Sequence, residues 1–134
     1  MSETNKAVAI KFLATLCAGD AEGLKQLMTD DIQAIMGSVG SLGAVRGYQE
    51  ILGVCALFPV ITKSGLNPKI LFATAEADRV SLDWEGNCEL VSGERYDNKY
   101  HMLLFIRDGK VCKLKEYLCT LLAERVLVPL FPKA

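Results

Sequence analysis

Apolar residues near the start of the chain recur at helical spacing: Val8, Phe12 and Leu16, with Ile10, Leu13 and Cys17 beside them, while Ser2 or Thr4 can cap the beginning. The pattern predicts an amphipathic helix over Asn5–Ala18. Gly19 stops it, and Asp20 is a good N-cap for a second, shorter helix from Ala21 to about Met28. "DDIQAIMG" then reads as a short extended segment. "GSVGSLGAVRG", residues 37–47, is too rich in glycine for regular structure, so it is a loop, either a lid or a loose connection. A third helix covers Tyr48 to Leu57 and halts near Phe58, because Pro59 disfavours helix at the residue before it.

Beyond this point the pattern changes. "KILFATAE", "DRVSLDWEG", "NCELVSG", "YDNKYHMLLFIRD" and "KVCKLKEYLCT" are enriched in β-branched and aromatic residues and are separated by Gly, Asn and Asp. Helices followed by strands predict an α+β architecture, a single domain over residues 1–134 in which about three N-terminal helices close over one face of a curved antiparallel sheet. Asp108-Gly109 marks a two-residue hairpin, since both central positions of a type I′ turn need positive φ. Pairing Arg107 with Lys110 and counting outward sets Phe105 against Cys112, Leu103 against Leu114, and the single histidine, His101, against Glu116. Directly opposed Cβ atoms lie about 4.5–5.5 Å apart, close enough for an imidazole and a carboxylate to share a hydrogen bond.

In that register Leu103, Phe105, Cys112 and Leu114 share the inner face with the His101/Glu116 pair. The other face carries Tyr100, Met102, Leu104, Ile106 and Tyr117, and is apolar enough to predict a homodimer that buries it. A polar pair at one end of an apolar concave surface is either an ordinary cross-strand contact or part of a ligand pocket. Strand parity also separates Asp83 from Trp84, which cannot both face a cavity. Trp84 itself reads as core or as a ligand platform.

Composition narrows the function. Fifteen basic and sixteen acidic residues nearly cancel and are scattered, so the charged stripe needed for nucleic acid is missing. Hydrophobic residues make up 51% of the chain, yet no apolar run approaches the roughly 20 residues of a membrane helix. No membrane partner is expected, and the polar, net-neutral beginning does not indicate export, so the expected location is cytoplasmic. The five cysteines, Cys17, Cys55, Cys88, Cys112 and Cys119, have no CxxC spacing and read as reduced core residues. With one histidine, neither a metal nor any other cofactor is expected.

The chain resembles members of the nuclear transport factor 2-like superfamily, in its SnoaL-like, ketosteroid-isomerase-like branch. The resemblance rests on "FLATLCAGDAEGLKQLMTDD", "RGYQEIL", "DRVSLDWEG" and "RYDNKYHMLLFIRDGKVCKLKEYLCT", taken in that order. It implies a cone-shaped, cystatin-like α+β barrel whose apolar cavity holds a small apolar molecule, in a homodimer packed through outer sheet faces. By the same resemblance Met36 stands where ketosteroid isomerases have their aspartate base, Phe12 at their oxyanion-hole tyrosine, and His101 at or beside their second acid. Arg79, Ser81 and Glu116 stand where limonene-epoxide-hydrolase-like members have Arg-x-Asp and a later Asp. Polyketide-cyclase-like members carry a pocket acid at the position of Glu116 and an Asp or Asn at that of Cys119.

Together these readings point to cofactor-independent acid–base chemistry (isomerisation, dehydration or cyclisation) on a small apolar or polyketide-like metabolite. A non-catalytic binding or dimerisation module and an epoxide hydrolase are the alternatives. Glu116 and His101 are the expected catalytic residues, and Phe12, Met36, Leu82, Trp84, Leu103, Phe105, Leu114 and Leu118 the expected substrate-binding ones.

Overall fold

The computed structural model describes residues 2–132. Helix α1 runs over Ser2–Ala18 and buries Ala9, Phe12, Leu13 and Cys17 on one face, as the 3.6-residue period requires. Gly19 ends it at φ +78°, and a Cβ there would come within 2.4 Å of the Pro59 ring, so close approach as well as backbone conformation demands glycine. Asp20 caps α2, Ala21–Leu24, by accepting from the Gly23 N–H at 2.9 Å. The second helix is therefore shorter than expected, and the chain is already extended in β1, Met28–Met36.

Within residues 37–47, expected to be loop throughout, a short strand β2, Ala44–Arg46, returns beside β1 because its three residues pair with Ala34, Ile35 and Met36. Helix α3, Tyr48–Ile61, then passes through Pro59 instead of halting before it. Proline in the last turn deprives only the Cys55 carbonyl of its partner. The Phe58 carbonyl accepts both the backbone N–H and the hydroxyl of Thr62, at 2.9 and 2.7 Å, which secures the helix end.

Strands β3 (Lys69–Glu76), β4 (Arg79–Glu85), β5 (Lys99–Arg107) and β6 (Lys110–Leu118) complete a six-stranded sheet in the order β2-β1-β6-β5-β4-β3. All neighbours are antiparallel except β1 and β6, which run parallel. The sheet is curved and open, since β2 and β3 remain its edges. "NCELVSG" forms only isolated bridges, with Leu90 to Thr62 and Glu89 to Arg95, and not a full strand. A C-terminal helical segment, Thr120–Leu130, which the sequence reading did not anticipate, follows β6 and buries Ala123 and Leu127 against the core.

The β5–β6 hairpin turns at Asp108 and Gly109 with φ of +54° and +74°, as a type I′ turn requires. Arg107 pairs with Lys110 and Ile106 with Val111, but the register then shifts by one: Phe105 meets Lys113, Leu104 meets Leu114, Met102 meets Glu116 and His101 meets Tyr117. The extra residue is Cys112, a β-bulge whose thiol lies 3.4 Å from the Phe105 carbonyl. Without it, Val111 and Leu114, three residues apart on one strand, could not both face the core. With it, both strands turn their apolar sets inward.

The expected face of β5 is thereby inverted. Tyr100, Met102, Leu104 and Ile106 are buried in the core, whereas His101, Leu103 and Phe105 lie on the outer face with Lys113, Lys115 and Tyr117. Tyr100 and Tyr117, expected on one face, are on opposite faces: Tyr100 pairs with Leu118 and Tyr117 with His101.

Candidate active site

Between the concave sheet face and the helices lies an apolar cavity with two adjoining lobes, about 110 and 90 Å³. Both lobes are lined by Leu16, Met36, Arg46, Val54 and Glu116. The larger lobe adds Cys17, Phe58, Trp84, Tyr96, Tyr100 and Leu118, and is roofed by Leu42 of the glycine-rich loop and by Ala123, Leu127, Val128 and Phe131 of the C-terminal segment. The smaller adds Ala34, Ile35, Ile51, Met102 and Leu114.

Sheet register decides which polar groups enter. Met36 pairs with Glu116 across β1–β6, Glu116 with Met102 across β6–β5, and Arg46 with Ala34 across β2–β1, so the glutamate and arginine project from the same concave face. Glu116 is the one carboxylate lining either lobe among the described residues. It opens on the cavity, and burial pushes its carboxyl up to about 7, against the weaker opposing pull of Arg46. Around it, Cys17 and Tyr100 are held well above their ordinary values and Tyr96 above its own, first by burial and then by neighbours that include Glu116. They are protonated at neutral pH. The cavity thus contains one acid that titrates in the neutral range, one guanidinium, and neutral donors.

The floor of the larger lobe is rigid. Trp84 and Tyr100 stack with ring centroids 3.7 Å apart and planes 5° apart. Tyr96 accepts at its hydroxyl from the buried Asn98 side chain at 3.1 Å, and Asn98 also bonds both backbone polar groups of Cys119, at 3.0 and 3.2 Å, fixing the exit of β6. Trp84 is a buried core residue that also lines the larger lobe. Asp83, one position along, faces outward opposite His101, as strand parity requires.

Of the expected substrate-lining residues, Met36, Trp84, Leu114 and Leu118 line the cavity. Phe12 and Leu82 point inward but are fully buried in the core behind it. Leu103, Phe105 and His101 are turned to the outer face by the Cys112 bulge, so the His101/Glu116 pair does not form. Instead His101 Nε2 lies 2.8 Å from the Ser81 hydroxyl on the open sheet surface. Arg79 and Ser81 also face outward, opposite Phe105 and Leu103, which removes the constellation an epoxide hydrolase of the resembled kind would use. The cysteines divide similarly: Cys17, Cys55 and Cys88 are buried, Cys112 is half-buried in the bulge, and Cys119 is exposed.

Sequence reasoning missed Arg46, Tyr96, Cys17 and the C-terminal roof. Arg46 was hidden inside a stretch read as loop, although "AVR" alternates as a strand does. The roof was hidden because "LLAERVLVPLF" has no strong amphipathic period.

The SnoaL-like domain family matches residues 9–114, and the chain belongs to it. No curated protein matches the sequence. Among solved structures, an NTF2-like protein from Burkholderia xenovorans LB400 is 19% identical, with a TM-score of 0.74 over 94% of this chain and 97% of that one. PrhC from Penicillium brasilianum NBRC 6234 is 17% identical, with a TM-score of 0.81 over 96% and 89%. TerC, co-crystallised with polyporic acid, is 18% identical, with a TM-score of 0.74 over 92% and 97%. At these identities the likeness is one of fold, which is NTF2-like.

Proposed function

We propose that this protein is a cofactor-independent acid–base enzyme acting on a small, largely apolar metabolite, by isomerisation, dehydration or cyclisation, with Glu116 as the proton carrier. One observation carries the reading: a single carboxyl, raised to about 7 by burial, projects into an apolar cavity. A group half-protonated near neutral pH can both take a proton from carbon and return it, and general acid–base catalysis is most effective when the catalytic pKa lies near the working pH. The protonated phenols of Tyr96 and Tyr100 supply neutral donors for an oxygen that gains charge as the proton leaves. TerC, a chain of the same fold, co-crystallises with polyporic acid, which supports a small organic molecule as occupant. His101 has no part in this chemistry.

The same reading includes a homodimer, now through the outer residues that the register leaves uncovered. Phe72 and Tyr117 are 72% and 49% exposed there, beside the half-buried Leu103 and Phe105. The unpaired thiols suit a reducing compartment such as the cytoplasm.

The test starts with a thermal-shift screen of polyketide, terpenoid, steroid and aromatic-acid ligands, since binding to the folded state raises its stability. Conversion of each stabilising compound is then followed. Glu116→Gln is expected to retain binding and lose turnover by about 100-fold or more, the usual scale of general acid–base catalysis. Conversion by Glu116→Gln at the wild-type rate would refute the assignment, and ligands bound without conversion would make the protein a binder.

A further inference from the structure

We propose that the cavity selects small organic acids, with Arg46 binding the ligand's carboxylate while the hydrocarbon skeleton fills the apolar walls and brings its reacting carbon beside Glu116. This deepens the acid–base reading and rests on it.

Arg46 is the one basic side chain lining either lobe among the described residues. The six ion pairs found among those residues all involve other groups, most of them at the surface. A guanidinium cannot shed its charge at any working pH, and its planar fork of donors matches a carboxylate in two-point contact. Walls of Leu16, Met36 and Val54 offer it no acceptor. Glu116 does not neutralise it either: it lies beyond ion-pair distance and is only partly ionised at neutral pH. The remaining titratable groups facing Glu116 from the packed elements, Cys17 of α1, Tyr96 of the loop before β5 and Tyr100 of β5, are all held protonated. Among the described residues the cavity therefore holds a guanidinium with no ion-pair partner, which a ligand carboxylate would supply.

The geometry also places the charge usefully. Arg46 and Glu116 both border the junction of the lobes, so a ligand anchored at one end by the guanidinium spans toward the acid. A carboxylate near Glu116 further disfavours its ionised form, which keeps the proton available for delivery.

The test compares isosteric pairs that differ only in charge: benzoate and benzamide, cinnamate and cinnamamide, 2-naphthoate and 2-naphthamide. Binding is measured by calorimetry at pH 7 on the intact chain. For at least one pair, the acid is expected to bind the wild type about tenfold or more tightly than its amide, the worth of a charge-assisted hydrogen bond. In Arg46→Gln that preference should fall to about threefold or less, and Arg46→Lys, which keeps the charge, should retain part of it. Equal or tighter binding of the amides, a preference that survives in Arg46→Gln, or no acid binding at millimolar concentration would each overturn the proposal. Because the readout is affinity, it can fail while Glu116 still transfers protons, and it can succeed even where Glu116→Gln leaves turnover unchanged.

Discussion

Replacing Glu116 by glutamine should stabilise the protein, and only above acidic pH. In the native state the carboxyl is raised from its ordinary 4.5 to about 7 by burial, so ionisation is resisted when the chain is folded and not when it is unfolded. Each pKa unit is worth about 1.4 kcal/mol, and the gap amounts to about 3 kcal/mol. The sign follows from proton binding. Below pH 4.5 both states carry the proton and there is no penalty. Between about 4.5 and 7 the unfolded state releases it first, so stability falls as pH rises, and above about 7 the penalty is complete. Glutamine has nearly the same shape and never ionises. Glu116→Gln and the wild type should therefore have similar stability at pH 4.5, whereas at pH 8 the variant should be more stable by about 3 kcal/mol, or about 10 °C in Tm for a chain of this size. Urea unfolding at half-unit steps from pH 4.5 to 8.5 measures the difference directly, and other titrating groups cancel between the two proteins. A difference that does not change with pH, or one that favours the wild type at pH 8, would show that the carboxyl is not buried and unpaired as described. A native charge that costs folding energy while facing a cavity is what a proton-transferring group requires.

Two further outcomes separate the faces of the sheet. His101→Ala removes an exposed contact to Ser81 on the outer face, so it should change stability by no more than about 1 kcal/mol and turnover by about twofold at most; a loss approaching that of Glu116→Gln would return the histidine to the site. Light scattering at micromolar concentration should report a dimer, and Phe72→Glu, which puts a charge at a 72% exposed position on the outer face, should shift it toward monomer; a wild-type monomer would contradict the assembly.

The helical period of α1, the Asp20 cap, the glycine-rich loop and the Asp-Gly turn were all legible along the chain, because each depends on neighbours within a few residues. So was the place of Glu116 on the apolar side of β6, since that strand beyond the turn alternates Leu114, Glu116, Leu118 whichever strand it pairs with. Its partner was not legible. One inserted residue, Cys112, exchanges the two faces of β5 against β6, and nothing at the turn itself encodes that exchange. The signal lay elsewhere: Val111 and Leu114, both apolar at a spacing of three, and the uninterrupted alternation of Tyr100, Met102, Leu104 and Ile106. Only the core, where both strands must bury their apolar sets at once, selects the bulged pairing and sends His101 to the surface. Arg46 likewise becomes a cavity residue only when β2 folds back on β1, a contact of three residue pairs that no local propensity determines. The sequence by itself determined the main helices, α1 and α3, and the strands β1 and β3–β6, and placed the Glu116 carboxyl on the apolar side of β6. The tertiary structure alone decided which groups face that acid, because facing is a matter of register between strands, and register is settled by burial across the whole sheet.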